Sequence, residues 1–311
     1  MSPDSVATAA QLACLLEASA PKPGNVSPGR PFHDTCYEDF LASAAAIGPA
    51  MALAGQRPIG PTVLAAVEAT ARWAPSNTNL GIILLFAPIA RTAIEMARTA
   101  SSDTGTPPFA PAGAAAARSI SIAALRDGID TVLAAATIAD ARAVYAAIRL
   151  ARPGGLGQVE AQDVRDEPDA TLQVVMSLAA ERDAIAREYA TGFVATFDTG
   201  LPALSRARSD GLSWDAAVVE TYLVLLAATP DTLIARKRGA GEAESVSRAA
   251  AAIVAAGGVR TPTGRSHLDA FDERLRDPHN ASNPGATADL TAATLFVYLL
   301  AGDYHPRPTV P

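Results

Sequence analysis

Lysine is nearly missing from this 311-residue chain: of 25 basic residues only Lys22 and Lys237 are lysines. Asparagine is almost as scarce, at positions 25, 77, 79, 280 and 283. Two cysteines, Cys14 and Cys36, exclude a disulfide framework or a CxxC metal site and read as two buried thiols. The four histidines, His33, His267, His279 and His305, form no HExxH or His-x-His pair, so a zinc site is not expected. There is no GxxxxGK[ST] loop and no GxSxG, and "GGLGQ" and "GAGEAE" lack the third glycine of a dinucleotide fingerprint. An excess of positive charge is also missing. The net charge of −7 gives no diffuse attraction to nucleic acid or anionic lipid, so a polyanion would need a local basic site. The N-terminal run has no basic leader region, and Asp4 and Glu17 interrupt it. The apolar run "LGIILLFAPIA" reads as too short to span a bilayer. A cytoplasmic protein with no membrane partner is the expectation.

Alternating Val/Ile/Thr patterns are lacking too, which argues against strands. What is present is alanine, the best helix former, with leucine, arginine and glutamate around it. Apolar residues at spacings of three and four predict helices near 5–19, 36–54, 60–72, 80–100, 113–126, 128–150, 168–197, 212–228, 241–256 and 285–301, separated by Gly/Pro/Asn clusters. No linker tract or repeat divides them. The fold class expected is all-α, a single large multi-helix bundle domain over 1–311 whose apolar faces would suit a homodimer. The Pro/Gly stretch at 106–117 reads as a loop entering a helix, and "DYHPRPTVP" as an extended tail.

Both lysines and all five asparagines fall in four punctuated stretches. In "PKPGNV", Gly24 lets the backbone approach a ligand, prolines stiffen it, and Lys22 is a compact charge suited to phosphate. Asp34 and Glu38 follow at a spacing that shares a helical face if a helix has begun by then. A plain interhelical turn with an acidic first helical turn would look the same. In "SNTNLG", Asn77, Thr78 and Asn79 supply more capping groups than one helix needs, beside an apolar helix start that can hold an anion. In "PDTLIARKRG", Asp231 and Thr232 suit the cap of a short helix ending in Arg236, Lys237 and Arg238. Those cations are either dipole compensation or a site for several phosphates. In "NPGATADL", Asn283 is expected as N-cap and Pro284 at the first helical position, with Gly285 next. Asp289 then lies inside an apolar helix, where a carboxylate must be paired, hydrogen-bonded or metal-bound. This inventory suits hard-cation chemistry with phosphates, where Mg²⁺ takes carboxylates and substrate oxygens.

Together the four stretches resemble the triphosphoribosyl-dephospho-CoA synthase family over nearly the whole chain. "PKPGNV" resembles its opening PKPG loop and "NTNLG" its Asn-Thr-His-Lys-Gly box. "DTLIARKRG" resembles its Asp-Thr-Asn…Arg-Gly box, "NPGATADL" its Ser-Pro-Gly-Gly-Ser-Ala-Asp-Leu box, and Asp34 falls at its Asp-Met aspartate. The resemblance implies an all-α enzyme taking ATP with Mg²⁺ as a ribosyl donor. Such an enzyme releases adenine and joins the anomeric carbon, still carrying the triphosphate, to a hydroxyl of a small-molecule alcohol, 3′-dephospho-CoA in the family. It further implies that Lys22, Arg236 and Lys237 hold the triphosphate, with Gly24, Thr78 and Gly285 in the nucleotide site. Asn25, Asn77, Asn79 and Asn283 would orient ribose, base or phosphate oxygens. Asp34, Glu38 and Asp289 would bind Mg²⁺, or one of them would serve as the catalytic base. The chain departs from the family at Asn79 and Leu80, which replace His and Lys, at His33, one place from the family histidine, and in "RPGGLGQVEAQDV" where the family has Arg-Gly-Glu. These departures resemble a branch of archaea and of bacteria that use tetrahydromethanopterin. They suggest an aminophenyl-ribitol precursor of that cofactor as acceptor, with dephospho-CoA the alternative. A hydrolase passing the ribosyl group to water and a non-catalytic nucleotide-binding protein are the competing classes.

Overall fold

The computed structural model describes residues 1–102, 120–155, 157 and 161–302, with no strand among them. The chain runs through α1 (Pro3–Ser19), α2 (Tyr37–Ala46), α3 (Gly48–Ala52), α4 (Ile59–Thr70) and α5 (Leu80–Ser102). It continues through α6 (Ile122–Ala134), α7 (Ile138–Ala151), α8 (Leu172–Ala179), α9 (Ala184–Thr191) and, after a π turn at Ala195–Gly200, α10 (Leu201–Ser209). Then follow α11 (Trp214–Ala228), α12 (Thr232–Arg238), α13 (Ala240–Ala255), α14 (Pro262–Leu275) and α15 (Gly285–Leu300). The all-α expectation holds.

The boundaries follow local chemistry. The helix expected over 128–150 is two, because Thr137 and Asp140 form a reciprocal capping box that restarts the chain as α7. The segment 36–54 breaks at Ile47, ahead of Gly48-Pro49. The segment 168–197 becomes α8, α9 and part of the π turn, with Asp183 accepting from the N–H groups of Ile185 and Ala186 to start α9. Two helices, α10 and α14, are additional to those the periodicity predicts. The second buries little beyond Gly264, Phe271 and Leu275, so its apolar period is faint. The segment 113–126 lies partly, and the stretch 106–117 and the tail "DYHPRPTVP" wholly, outside the described residues.

Two apolar helices form the middle. α15 is buried almost throughout and packs on α1, α5, α10 and α11. α5 meets it where Phe86 and Phe296 stack with ring centroids 4.5 Å apart. The stretch Leu80–Ala100 is long and apolar enough to cross a membrane, which corrects the expectation that the run is too short. Seventy-two per cent of its most apolar window is nevertheless packed inside the protein, as suits a helix apolar on all sides in a large core. Pro88 interrupts its hydrogen-bond ladder by lacking the N–H that would reach the carbonyl of Leu84. The buried Tyr189 hydroxyl donates to that carbonyl instead, at 2.6 Å, so the helix continues.

Candidate functional site

A cavity of about 780 Å³ opens where several helix ends meet, a size typical of small-molecule sites. The N-terminal ends of α5, α9 and α15 face it through Gly81, Ile185 and Gly285. The C-terminal ends of α1, α4, α7 and α12 contribute Glu17, Thr70, Ala151 and Lys237. Helix N-termini carry partial positive charge and C-termini partial negative charge, so the helix ends alone do not fix the sign of the occupant, and the cationic side chains must do so.

Asp289 is the central feature. It lies one turn into α15 and lines the cavity, and no hydrogen-bond or ion-pair partner meets its carboxylate among the described residues. Gly81 makes room for it: a Cβ there would stand 2.1 Å from Asp289 Oδ2. Burial first, then the carboxylates of Glu17, Asp231 and Asp183, push the Asp289 carboxyl well above the ordinary aspartate value, while Arg236 opposes them. A carboxylate whose basicity is raised in this way is suited to accept a proton.

The neighbouring aspartate of the third stretch does structural work. Asp231 caps α12, as expected, through Leu233 N and Ile234 N, at 2.8 and 3.1 Å. Its other oxygen accepts from Thr287 N and Oγ1, at 2.7 and 2.8 Å. One buried side chain thus caps α12 and holds the first turn of α15, which fixes Asp289 relative to the basic end of α12. At that end Arg236 pairs with Asp183, while its Nε is buried without a partner among the described residues. Among the described residues, exposed Lys237 reaches only the Asn280 carbonyl, at 3.4 Å.

Of the residues expected in the site, Asn25, Asp34, Asn77, Thr78, Asn79, Arg236, Lys237, Asn283, Gly285 and Asp289 line this one cavity. Several are already engaged. Asn77 Oδ1 caps α5 by accepting from Leu80 N, Thr78 meets Ser43 at 2.5 Å, and Asn79 Nδ2 reaches Thr70 at 3.4 Å. Asn283 does not cap α15, which begins at Gly285. Its amide donates back to the Gly24 carbonyl and to Asn25 Oδ1, tying the opening loop to α15.

Three expectations are corrected. Lys22 does not line the cavity: its side chain is buried and its ammonium lies 2.9 Å from Glu17 Oε1, with backbone carbonyls of Glu17 and Ala20 around it. It is a packed counter-charge behind the cavity wall, and Glu17 is the member of the pair that reaches the cavity. Gly24 is absent from the lining as well. Its backbone has φ +72°, and a Cβ would press on Leu275 and Pro284, so it serves the close packing of the loop. Glu38 is exposed on α2 and outside the cavity, and it shares no helical face with Asp34. The reason is local: Cys36 and Asp39 form the capping box, so α2 starts only at Tyr37. Asp34 sits at the mouth, 3.7 Å from His33.

Asp34, Glu38 and Asp289 therefore form no metal cluster, and no group of three His, Cys, Asp or Glu among the described residues does. Mg²⁺ can still fit, because it typically uses one or two carboxylates and completes its shell with water and substrate phosphates. Asp34, at the mouth of the cavity, is the residue that would hold it, which leaves the Asp289 carboxylate free to take a proton. Glu17, Asp183, Arg152 and Arg182 also line the cavity and were not singled out from sequence. Arg152, heading the loop "RPGGLGQ", carried a legible signal: an arginine opening a Gly/Pro turn.

A family model for ATP:dephospho-CoA triphosphoribosyl transferase matches residues 3–307. A Pseudomonas putida protein named a probable 2-(5″-triphosphoribosyl)-3′-dephosphocoenzyme-A synthase is 38% identical over 113 residues, 36% of this chain and 40% of that protein. One of the same name from Pseudomonas savastanoi pv. phaseolicola is 32% identical over 167 residues, 53% of this chain and 56% of that protein. The matched segments thus span about half or less of these relatives' length. A crystal structure from Archaeoglobus fulgidus, described as a candidate triphosphoribosyl-dephospho-CoA synthase, aligns with TM-score 0.62 at 29% identity. It covers 86% of this chain and 99% of that one.

Proposed function

The chain belongs to the ATP:dephospho-CoA triphosphoribosyl transferase family, and on that footing we propose that it transfers the 5-triphosphoribosyl group of ATP to an acceptor hydroxyl. The observation that carries this is the gathering of segments remote in sequence, around Asn25, Asn77, Arg236 and Asp289, on one cavity with an unpaired carboxylate.

In the reaction, the acceptor oxygen attacks the anomeric carbon of the ATP ribose as the bond from that carbon to the adenine nitrogen breaks. Adenine leaves with the bonding electrons and takes a proton, while the hydroxyl proton passes to a carboxylate. Asp289 is suited to receive it, since its environment raises its basicity without giving it a competing hydrogen bond. As positive charge builds on the ribose ring, the Asp289 carboxylate on the same cavity lining also adds favourable field. Arg236 and Lys237 face the triphosphate. Mg²⁺, when bound with ATP, would offset further phosphate charge.

The acceptor we propose is 3′-dephospho-CoA, supported by the family description and by the names the Pseudomonas relatives carry. The aminophenyl-ribitol acceptor is the second reading. Its support is that Asn79 and Leu80, which replace the His and Lys of the resembling box, both line the cavity. The test is chromatographic detection of adenine from ATP and Mg²⁺ with each acceptor offered singly. Release with dephospho-CoA, and little without it, supports the first reading. Release with the ribitol compound alone supports the second. Equal release with no acceptor would make the protein a hydrolase and overturn both.

A further inference from the structure

We propose that one end of the cavity is a two-armed clamp for a linear polyphosphate. The Arg152–Gly155 turn with Arg182 forms one arm, and Arg236 with Lys237 at the end of α12 forms the other. The inference deepens the proposed reaction, since the triphosphate of ATP would be the occupant, and to that extent rests on it.

The arms are close. A Cβ on Gly155, whose φ is +74°, would stand 3.4 Å from Arg236 Cβ, and one on Gly154 would stand 3.5 Å from Lys237 Cε. A side chain at Gly155 would therefore fill the space between turn and helix. Arg152 ends α7 in a left-handed conformation, φ 48° and ψ 54°, which turns the chain into this loop. Arg182 immediately precedes Asp183, the cap of α9 and the partner of Arg236. All four cations line the same cavity.

The charge balance points the same way. Many arginines elsewhere are paired with carboxylates, as in Arg126 with Asp198, Arg165 with Asp163 and Arg260 with Glu220, and within the cavity Arg236 is paired with Asp183. Arg152 and Arg182 have no side-chain hydrogen bond or ion pair among the described residues. Lys237 has, among the described residues, only its long contact to a carbonyl. In a chain with net charge −7, cations gathered on the lining of one cavity without carboxylate partners suit an anion with charges in series. Guanidinium groups recognise phosphate oxygens two at a time, and Lys237 adds a point charge. The remaining cavity carboxylates are Glu17, held by Lys22, Asp163, held by Arg165, and Asp34 and Asp289.

The test is calorimetric titration of the full chain with inorganic triphosphate. The wild type should bind, more tightly at low salt, and far more tightly than it binds inorganic monophosphate. The Arg152→Ala/Arg182→Ala variant should bind triphosphate about 100-fold more weakly, roughly tenfold for each guanidinium removed. Arg152→Lys/Arg182→Lys should recover part of that affinity. Arg248→Ala, which removes an exposed arginine near Glu244 on α13, should bind as the wild type does. Because Arg152 and Arg182 are exposed, the melting temperature of the double variant should match wild type. Wild-type affinity in the double variant, or no triphosphate binding by the wild type, would overturn the clamp. Adenine release on the same preparations separates this outcome from the reaction. Triphosphate binding abolished in the double variant, with no adenine released by wild type, would leave the clamp standing and sink the transferase. Adenine release with an unchanged KM for ATP in the double variant would do the reverse.

Discussion

Asp289→Asn should stabilise this protein at mildly alkaline pH while abolishing most of its turnover. The substitution preserves shape and removes one negative charge from a carboxyl without a partner among the described residues. Burial and the carboxylates of Glu17, Asp231 and Asp183 hold the Asp289 pKa above the value it has when unfolded. The folded state therefore retains that proton to higher pH than the unfolded state does. Stability contributed by Asp289 is full below the ordinary aspartate pKa, falls as pH rises toward the raised value, and is lost above it. Asparagine has no such slope. Because the cavity admits water to the carboxylate, the gain belongs at the low end of the range for an unsatisfied polar group, about 1 kcal/mol. That corresponds to roughly 2 °C or a little more in melting temperature. The gain should shrink to nothing as pH is lowered to about 4. Removing a general base typically costs 10²- to 10⁴-fold in rate, so adenine release should fall by about that factor. Scanning calorimetry from pH 4 to 8 and timed adenine release read both effects. A variant less stable than wild type at pH 8, or one whose rate falls by less than about tenfold, would refute the reasoning.

Three other perturbations follow from particular contacts. Gly81→Ala places a methyl where Asp289 Oδ2 now sits, 2.1 Å from it. Adenine release should fall about 100-fold from misplacement of the carboxylate, with triphosphate affinity unchanged by calorimetry; undiminished turnover would contradict the role of Asp289. Tyr189→Phe leaves the Leu84 carbonyl without its donor at the Pro88 break and should cost about 1–2 kcal/mol in urea unfolding. A cost near zero would mean that the carbonyl finds another donor. Lys22→Met strands the Glu17 carboxylate in a buried setting and should cost about 3–5 kcal/mol. Weakened triphosphate binding with stability unchanged would instead return Lys22 to the phosphate site.

The sequence is most informative where structure is local. Apolar spacing and punctuation locate most of the core helices, and Asp231 is legible as the cap of α12 because its signal lies within four residues. Its grip on Thr287 is not legible, since it joins positions 56 residues apart. Lys22 misleads for a related reason. A lysine among prolines and glycines reads as free, but its partner Glu17 stands on the last turn of α1, and burial of the pair is decided by packing across the core. Asn283 carries a cap signal that a tertiary bond to Gly24 overrides. Arg182 is ordinary in sequence, and Arg152, though it opens a Gly/Pro turn, gains its place in the cavity only from the approach of the α7 loop to α12.

The most direct test of Asp289 as the reacting carboxylate in a polyphosphate-binding cavity is a crystal structure with Mg²⁺ and an ATP analogue whose glycosidic bond cannot break. The triphosphate should lie between Arg152, Arg182, Arg236 and Lys237, with the anomeric carbon beside Asp289. Nucleotide bound elsewhere, or bound here with its ribose turned away from Asp289, would contradict that assignment.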